Sequence, residues 1–212
     1  MSKSFEILIV GAGTGGLMTA ARMRKLDKSL SIGIIDPADT HYYQPAWTLV
    51  GAGTFDYQKT ARPMADLIPE GVTWIKDAVD TFDPENNSVS TKESGTIAYD
   101  YLVVSPGLVM EPSMIKGLEE ARKSGAVCSN YTDPEHTWKS LQAFKGGNAI
   151  FTQPATPIKC GGAPQKIAYL AADYIRKNGT GLKDQPDVCY PRNNYFRRSS
   201  DSRDTHEGHP SL

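Results

Sequence analysis

Continuous apolar runs separated by glycine-rich or polar turns dominate the first hundred residues. The runs at residues 5–10, 31–35 and 102–104 are apolar at most positions, including neighbouring ones, which is typical of strands buried on both faces of a parallel sheet. Between the first two runs, residues 17–26 present apolar side chains for packing in a helix. Residues 5–35 therefore form a βαβ unit of about 30 residues.

The pattern after this unit predicts smaller elements around the same sheet. The predicted strands are residues 72–75, 78–82, 88–91 and 96–99, the last two forming a hairpin. Residues 62–67 are predicted as a short helix, and residues 41–55, which are rich in aromatic residues and glycine, as a loop.

A second strand–turn–helix pattern follows. Residues 133–144 are predicted as a helix, with Asp133 as the N-cap and Pro134 in the first turn. An apolar strand at residues 149–151 is followed by a proline- and glycine-rich turn and by a helix at residues 165–177. The fold class is therefore α/β: a Rossmann-like domain in three layers, followed by the start of a second such domain.

The last segment of the chain has a different composition. Residues 189–212 contain no Ile, Val or Met, and their only Leu is Leu212. Such a segment buries too little apolar surface to offset the entropy of ordering it, so we expect it to be disordered. The expected divisions are residues 1–115, residues 116–188 and the atypical tail at residues 189–212.

Composition excludes several functional classes. The 212 residues carry a net charge of −1, so charge gives no reason to expect a nucleic-acid partner. The sequence contains no run of 18 apolar residues, so no membrane span is predicted. The first strand begins so close to the N-terminus that we expect no signal or transit peptide. The three cysteines are widely spaced and form no CxxC pair, so no metal site is predicted.

The turn after the first strand fits the GxGxxG pattern at Gly11, Gly13 and Gly16. These glycines permit a tight turn, a close approach of a pyrophosphate to the backbone, and close packing of helix on strand. Asp36 ends the second strand, where it is placed to accept a ribose hydroxyl. Thr14 and Gly15 complete the predicted phosphate turn, for which the alternative is a glycine-rich turn without a ligand.

Further cofactor-binding residues are predicted outside this turn. The strand that ends in the turn around Gly107 favours FAD over NAD alone, although it could also be one more sheet strand. The stretch at residues 41–53 could line a flavin or a substrate funnel, and it contributes Gln44. In that stretch, Trp47 is interpreted as a core residue, and His41 as a structural residue rather than a base. Val79 is the last predicted cofactor contact.

Cys160 is the main catalytic candidate. It lies in a rigid turn between a strand and a helix, flanked by Lys159 and Lys166. The positive end of the helix dipole and the two ammonium groups both favour thiolate over thiol. The alternative is a small buried apolar residue. Cys128 is a weaker catalytic candidate because its surroundings lack such features, and Cys189 belongs to the atypical tail.

Taken together, these motifs resemble the sulfide:quinone oxidoreductases within the pyridine nucleotide-disulfide oxidoreductase superfamily, in the branch that includes the mitochondrial enzymes. The resemblance covers residues 5–188 and is carried by these segments: residues 10–16, 41–53, 71–76, 129–131, 138–139, 147–152 and 157–166. The glycines of the turn and Asp36 match the pyrophosphate and ribose positions of that family.

The resemblance implies the chemistry. Family members bind FAD between two Rossmann-like domains, oxidise hydrogen sulfide through a cysteine persulfide, and reduce a membrane quinone. Cys160 matches the first of the two family cysteines, and Cys128 matches a cysteine of some bacterial members. The family also implies peripheral attachment to the mitochondrial inner membrane or the bacterial cytoplasmic membrane. A homo-oligomer is a further expectation.

The chain also departs from the family. A second catalytic cysteine, a second flavin-binding segment and the quinone pocket are not recognisable in the sequence. We therefore expect a change of reading frame or splicing near residue 188, weak or no turnover, and a chain that could be soluble. The alternatives are an NAD(P)H-dependent flavin reductase, which would need a second glycine fingerprint where residues 153–160 stand, and a non-enzymatic fragment.

Overall fold

The computed structural model describes residues 3–125, 127–146, 148–152 and 160–178, and the backbone of residues 188–189. The chain divides into two compact units. The first comprises Met1–Tyr42 and Ala61–Met114, and the second comprises Tyr43–Thr60 with the described residues from Ile115 onward. The predicted divisions at residues 115 and 188 remain predictions, and the predicted disorder of the tail falls outside the described residues.

The first unit is built on a six-stranded sheet. Its elements in chain order are β1 (Lys3–Val10), α1 (Thr14–Leu26), β2 (Ile32–Ile35), β3 (Thr40–Tyr42), β4 (Ala61–Pro63), β5 (Val72–Ile75), β6 (Val79–Asp83), β7 (Ser88–Thr91) and β8 (Thr96–Val104). The strand order is β5-β2-β1-β8-β7-β6. The first four strands run parallel, and β7 and β6 are antiparallel additions at the β8 edge. The predicted α/β class with a Rossmann-like sheet is confirmed.

Alternate side chains of β1 pack in two different hydrophobic clusters, because successive side chains of a strand point to opposite faces of the sheet. Ile7 and Ile9 pack in one cluster with Ile34 and the α1 residue Ala20. Leu8 belongs to a second cluster, whose other buried members are Ile35, Ile75, Val89, Ile97 and Tyr99. Both faces of β1 are therefore buried over its last four residues, which explains why residues 7–10 are continuously apolar.

Three local predictions for the first hundred residues were wrong or incomplete. The expected helix at residues 62–67 is instead β4 followed by a single 3-10 turn, Met64–Asp66. The expected hairpin strand at residues 96–99 and the strand at 102–104 are one continuous strand, β8. The expected loop at residues 41–55 contains the end of β3, a 3-10 helix at Gln44–Ala46, and the short helix α2 (Trp47–Gly51). Pairing of β3 with β4 overrides the local helical preference.

The second unit is mainly helical. Besides α2 it contains α3 (Leu118–Lys123), α4 (Pro134–Ala143), β9 (Phe151–Thr152), α5 (Ala163–Lys177) and β10 (Val188–Cys189). β10 runs parallel to β9. The buried residues Ala52, Leu141, Ile167, Ala171 and Ile175 form its core. Within the described ranges, no helix is both long and apolar enough to cross a membrane.

The start of α4 agrees with the helix start predicted from Asp133 and Pro134. The Asp133 carboxylate accepts a hydrogen bond from the His136 N–H at 2.9 Å, and Pro134 occupies the first helical position. The predicted N-cap is therefore confirmed. α5 begins two residues before the predicted helix start at residue 165, with Pro164 in its first turn.

Asp77 supports the turn that joins β7 to β8. Its residue surface is only 5% exposed, and its carboxylate accepts hydrogen bonds from the backbone N–H groups of Ala78, Glu93 and Ser94 at 2.7, 3.0 and 2.7 Å. Burial raises the pKa of Asp77, but the hydrogen bonds from Ser94, Ala78 and Glu93 outweigh burial and hold this pKa well below its usual range. Ionised Asp77 therefore stabilises the folded chain.

We expect Asp77→Asn to lower the melting temperature by about 3–6 °C at pH 7. Because the folded-state pKa is depressed, the contribution of Asp77 is complete above its ordinary pKa of about 4 and is lost as the pH falls through the lower folded-state value. Thermal unfolding at pH 7 and at pH 3 measures both effects. Asp80→Asn, at an exposed position of β6, is the matched control and should leave the melting temperature unchanged. An equal loss in both variants would contradict the assignment.

Candidate functional site

Packing accounts for two of the three fingerprint glycines. Gly11 has a φ of +97°, and a Cβ there would overlap the carbonyl oxygen of Ser105. A Cβ at Gly16 would overlap the carbonyl oxygen of Gly11 and would lie 3.1 Å from Ser105 Oγ. These two positions therefore require glycine for the turn between β1 and α1 to close, whether or not a ligand is bound.

Gly13 differs, because no such constraint acts on it. Its φ of −71° is accessible to any residue, and a Cβ there would meet no heavy atom of the described residues within 4 Å. Gly13 is the N-cap of the thirteen-residue helix α1, where the unpaired backbone N–H groups and the positive end of the dipole are located. The open space at Gly13 thus fits a phosphate group that approaches the backbone closely.

Asp36 lies at the end of β2, next to this turn. One carboxylate oxygen accepts a hydrogen bond from the Ala12 N–H at 2.7 Å, and the other accepts one from the Ala38 N–H at 2.8 Å. These bonds fix the orientation of the carboxylate. Each oxygen has a further lone pair, so the half-buried Asp36 can still accept a hydroxyl hydrogen bond from a ligand.

Ser105 is a functional candidate that the sequence reasoning did not single out. At the end of β8, its backbone N–H donates to the Val10 carbonyl at 2.8 Å, and its hydroxyl lies 3.2 Å from that carbonyl and 3.3 Å from the Gly11 carbonyl. Ser105 therefore links the segment that ends at Gly107 to the glycine turn. The sequence did show a serine directly after the predicted strand at residues 102–104. That this serine lies beside Gly11 depends on the pairing of β8 with β1, which the sequence did not reveal.

The other predicted cofactor contacts lie in different places. Thr14 and Gly15 begin α1, and Gly107 has a φ of +84°. Val79 is half-buried at the start of β6 and packs against the second core cluster of the sheet. Gln44 is half-buried in the second unit.

The aromatic stretch that contains Gln44 is partly core. Trp47 is 8% exposed, and its indole N–H donates to Thr60 Oγ1 at 3.3 Å. The interpretation of Trp47 as a core residue is confirmed. His41 lies in β3, where it pairs with Arg62 of β4.

Cys160 lies three residues before α5, and its residue surface is exposed. Its carbonyl accepts a hydrogen bond from the Ala163 N–H at 3.0 Å, and the Lys166 ammonium lies 3.6 Å from its sulfur. A hydrogen bond from the Gly162 N–H, followed by Lys166 and the Ala163 N–H, lowers the pKa of the Cys160 thiol, while partial desolvation opposes this shift. The thiol is accessible and its surroundings favour the thiolate form, so Cys160 is not a buried apolar residue.

The other candidate thiol is less accessible. Cys128, in the connection between α3 and α4, is half-buried, and both it and Cys160 are free thiols in the structure. Lys159 and the side chain of Cys189 lie outside the described residues. Among the described residues, no group of three His, Cys, Asp or Glu side chains is arranged to hold a metal ion.

The Rossmann-like sheet and the open glycine turn are the arrangement of a dinucleotide-binding domain. Residues 5–150 match the family described as "Pyridine nucleotide-disulphide oxidoreductase". The chain belongs to this family, and membership implies a flavin cofactor.

Within this family, the chain is similar to proteins named sulfide:quinone oxidoreductase. The chain is 44% identical over 177 residues to the mitochondrial sulfide:quinone oxidoreductase of Mus musculus and 48% identical over 178 residues to that of Dictyostelium discoideum. Each match covers 82% of this chain and 39% of the relative. The solved sulfide:quinone oxidoreductase of Aquifex aeolicus superposes with a TM-score of 0.70 at 25% identity, covering 89% of this chain and 43% of that one. The chain thus spans about two fifths of the length of the curated relatives it matches.

Proposed function

We propose that these residues form the FAD-binding and thiol-bearing part of an oxidoreductase that oxidises hydrogen sulfide and reduces a quinone. The observation that carries the proposal is the exposed Cys160 thiol, which receives backbone and ammonium hydrogen bonds at the start of α5. The relatives named sulfide:quinone oxidoreductase support the choice of substrates. The names of these relatives also support a proposed mitochondrial location, and attachment to a membrane surface remains a prediction.

The glycine turn and its neighbours would hold FAD. The first turn of α1 at Gly13 would accept the pyrophosphate, and Asp36 would accept a ribose hydroxyl. Gln44, Val79 and Gly107 are proposed as further contacts. When bound, the flavin supplies a two-electron carrier between sulfide sulfur and quinone.

The role proposed for Cys160 is that of the released thiolate. In the family, two cysteines are joined through sulfur. When hydrosulfide attacks this bridge on the side of the second cysteine, a new sulfur–sulfur bond forms the persulfide there. The bond toward Cys160 breaks, and its electron pair goes to the Cys160 sulfur. A thiol with a lowered pKa is the better leaving group in such exchange, and Gly162 and Lys166 provide the required donors.

After that exchange, the persulfide sulfur would leave to an acceptor. The two thiols left behind would then need a two-electron oxidant to regain their bridge, which a bound flavin would supply. Cys128, half-buried in the same unit as Cys160, is proposed as a second thiol that takes part in the reaction. The pairing of these two cysteines, the sulfur acceptor and a homo-oligomeric state remain predictions.

The purified 212-residue chain tests the proposal by its visible spectrum. We expect oxidised-flavin absorbance that bleaches on addition of sulfide under anaerobic conditions, whereas NADH bleaches it poorly. Bleaching by NADH and not by sulfide would instead favour a flavin reductase. A colourless preparation that does not take up added FAD would favour the non-enzymatic alternative. Steady-state reduction of a quinone analogue by this chain is expected to be weak.

A further inference from the structure

The Lys166 side chain occupies a position that opposes helix stability. Lys166 lies in the first turn of α5, and this turn follows the N-cap Gly162 and contains no acidic residue. The partial charge at a helix N-terminus is positive, so an ammonium there is repelled by the dipole. The cations Arg176 and Lys177, by contrast, lie in the last turn, where the dipole favours them.

The direction of the Lys166 side chain explains why a lysine stands there. Its Cε lies 3.7 Å from the position that a Cβ on Gly162 would take, so the aliphatic chain runs back over the turn that precedes the helix. This is the direction that helical side chains normally take, toward the N-terminus. The ammonium thereby reaches the Cys160 sulfur at 3.6 Å.

From this geometry we infer that Lys166 is a positioning residue, which holds the Cys160 sulfur in its anionic form and orients it for the proposed sulfur chemistry. The inference rests on the proposed function for its biological meaning, but the Lys166–Cys160 interaction can be measured without sulfide. Local rules of stability are commonly broken at functional sites, and a lysine at the unfavourable end of a helix fits this pattern.

Other charges around α5 do not account for the effect. The helix α2 (Trp47–Gly51) and the strand β9 (Phe151–Thr152), which both contact α5, contain no titratable side chain. α4 packs against α5 through the edge-to-face contact of Trp138 with Tyr174 and carries three titratable residues: Glu135, His136 and Lys139. Among the described residues, Lys166 is the charged side chain that lowers the pKa of Cys160.

The test is the pH dependence of Cys160 alkylation by iodoacetamide, an uncharged reagent. It uses the full chain with Cys128 and Cys189 replaced by serine, so that Cys160 alone reacts. We expect Lys166→Gln to slow alkylation about three- to tenfold at pH 7 and to move the midpoint of the rate profile to higher pH. Lys166→Arg should keep most of the rate.

Lys177→Gln is the matched control, since Lys177 lies on the same helix and pairs with Asp173 at 2.8 Å. It should leave the alkylation profile unchanged. The melting temperature of Lys166→Gln should be equal to or above that of the parent, because a repelled charge is removed. An unchanged profile in Lys166→Gln, an equal shift in Lys177→Gln, or a lower melting temperature in Lys166→Gln would each overturn the inference.

Sulfide bleaching of the flavin, measured in the chain that keeps all three cysteines and in its Lys166→Gln variant, separates the two proposals. If Lys166→Gln shifts the alkylation profile while the parent chain does not respond to sulfide, the role of Lys166 stands and the proposed function fails. If the parent responds to sulfide while the alkylation profile is unchanged in Lys166→Gln, the proposed function stands and the role of Lys166 fails.

Discussion

Gly16→Ala is expected to destabilise the first unit by about 3 kcal/mol or more, which is a large part of the stability of a typical domain. The added Cβ would overlap the Gly11 carbonyl oxygen, a backbone atom that cannot rotate away. Gly11 in turn lies against the end of β8 at Ser105, so relief would require the central strands to move. Circular dichroism during thermal or urea unfolding measures the loss.

Gly13→Ala is the matched substitution, and it should separate folding from cofactor binding. The Gly13 backbone is in a region open to alanine, and the added Cβ meets only open space among the described residues, so we expect a stability change of at most about 1 kcal/mol. Flavin affinity should fall about a hundredfold or more, because the methyl group would stand where the phosphate oxygens accept hydrogen bonds from backbone N–H groups. Flavin titration followed by fluorescence measures this affinity. Equal unfolding in both variants, or full flavin affinity in Gly13→Ala, would contradict the assignment.

Cys160→Ser is expected to slow sulfide-dependent bleaching of the flavin by roughly 10³-fold or more, while flavin absorbance and melting temperature stay unchanged. Serine cannot form the sulfur–sulfur bonds that the proposed reaction needs, and the exposed thiol contributes little to packing. Anaerobic stopped-flow mixing of the flavin-loaded chain with sulfide measures the rate.

The Cys128→Ser variant indicates how far this effect is specific to Cys160. Cys128 is half-buried, and its substitution should reduce the rate less than that of Cys160. If Cys160→Ser bleached with sulfide at the parental rate, Cys160 would not be the released thiolate of the proposed reaction. If Cys128→Ser alone abolished bleaching, the principal role would move to Cys128.

Short-range patterns identified several elements because their determinants are local. The continuous apolar run of β1, the glycine turn and the capping pair of Asp133 and Pro134 each depend on neighbours within a few residues. The setting of Cys160 before a helix was recognisable for the same reason. A proline- and glycine-rich turn between an apolar strand and an amphipathic segment can be identified without knowledge of the rest of the chain.

Other features were not predictable because they depend on contacts between distant segments. β4 replaced the expected helix because it pairs with β3, and 18 residues separate these two strands in the sequence. β8 continues through residues 100–101 because it pairs with β1 along most of its length, although the exposed residues there interrupt the apolar pattern. Asp77 and Ser105 likewise have roles that follow from residues more than ten positions away.

The amino-acid sequence by itself determined the class of fold, the glycine turn between β1 and α1 and the chemical character of Cys160, because these depend on residue type and close spacing. Only the tertiary structure decided which fingerprint glycine is open to a ligand, since Gly11 and Gly16 are filled by Ser105 and the turn itself whereas Gly13 is not. It also decided that the Lys166 ammonium reaches the Cys160 sulfur, because that distance depends on how the turn joins the helix.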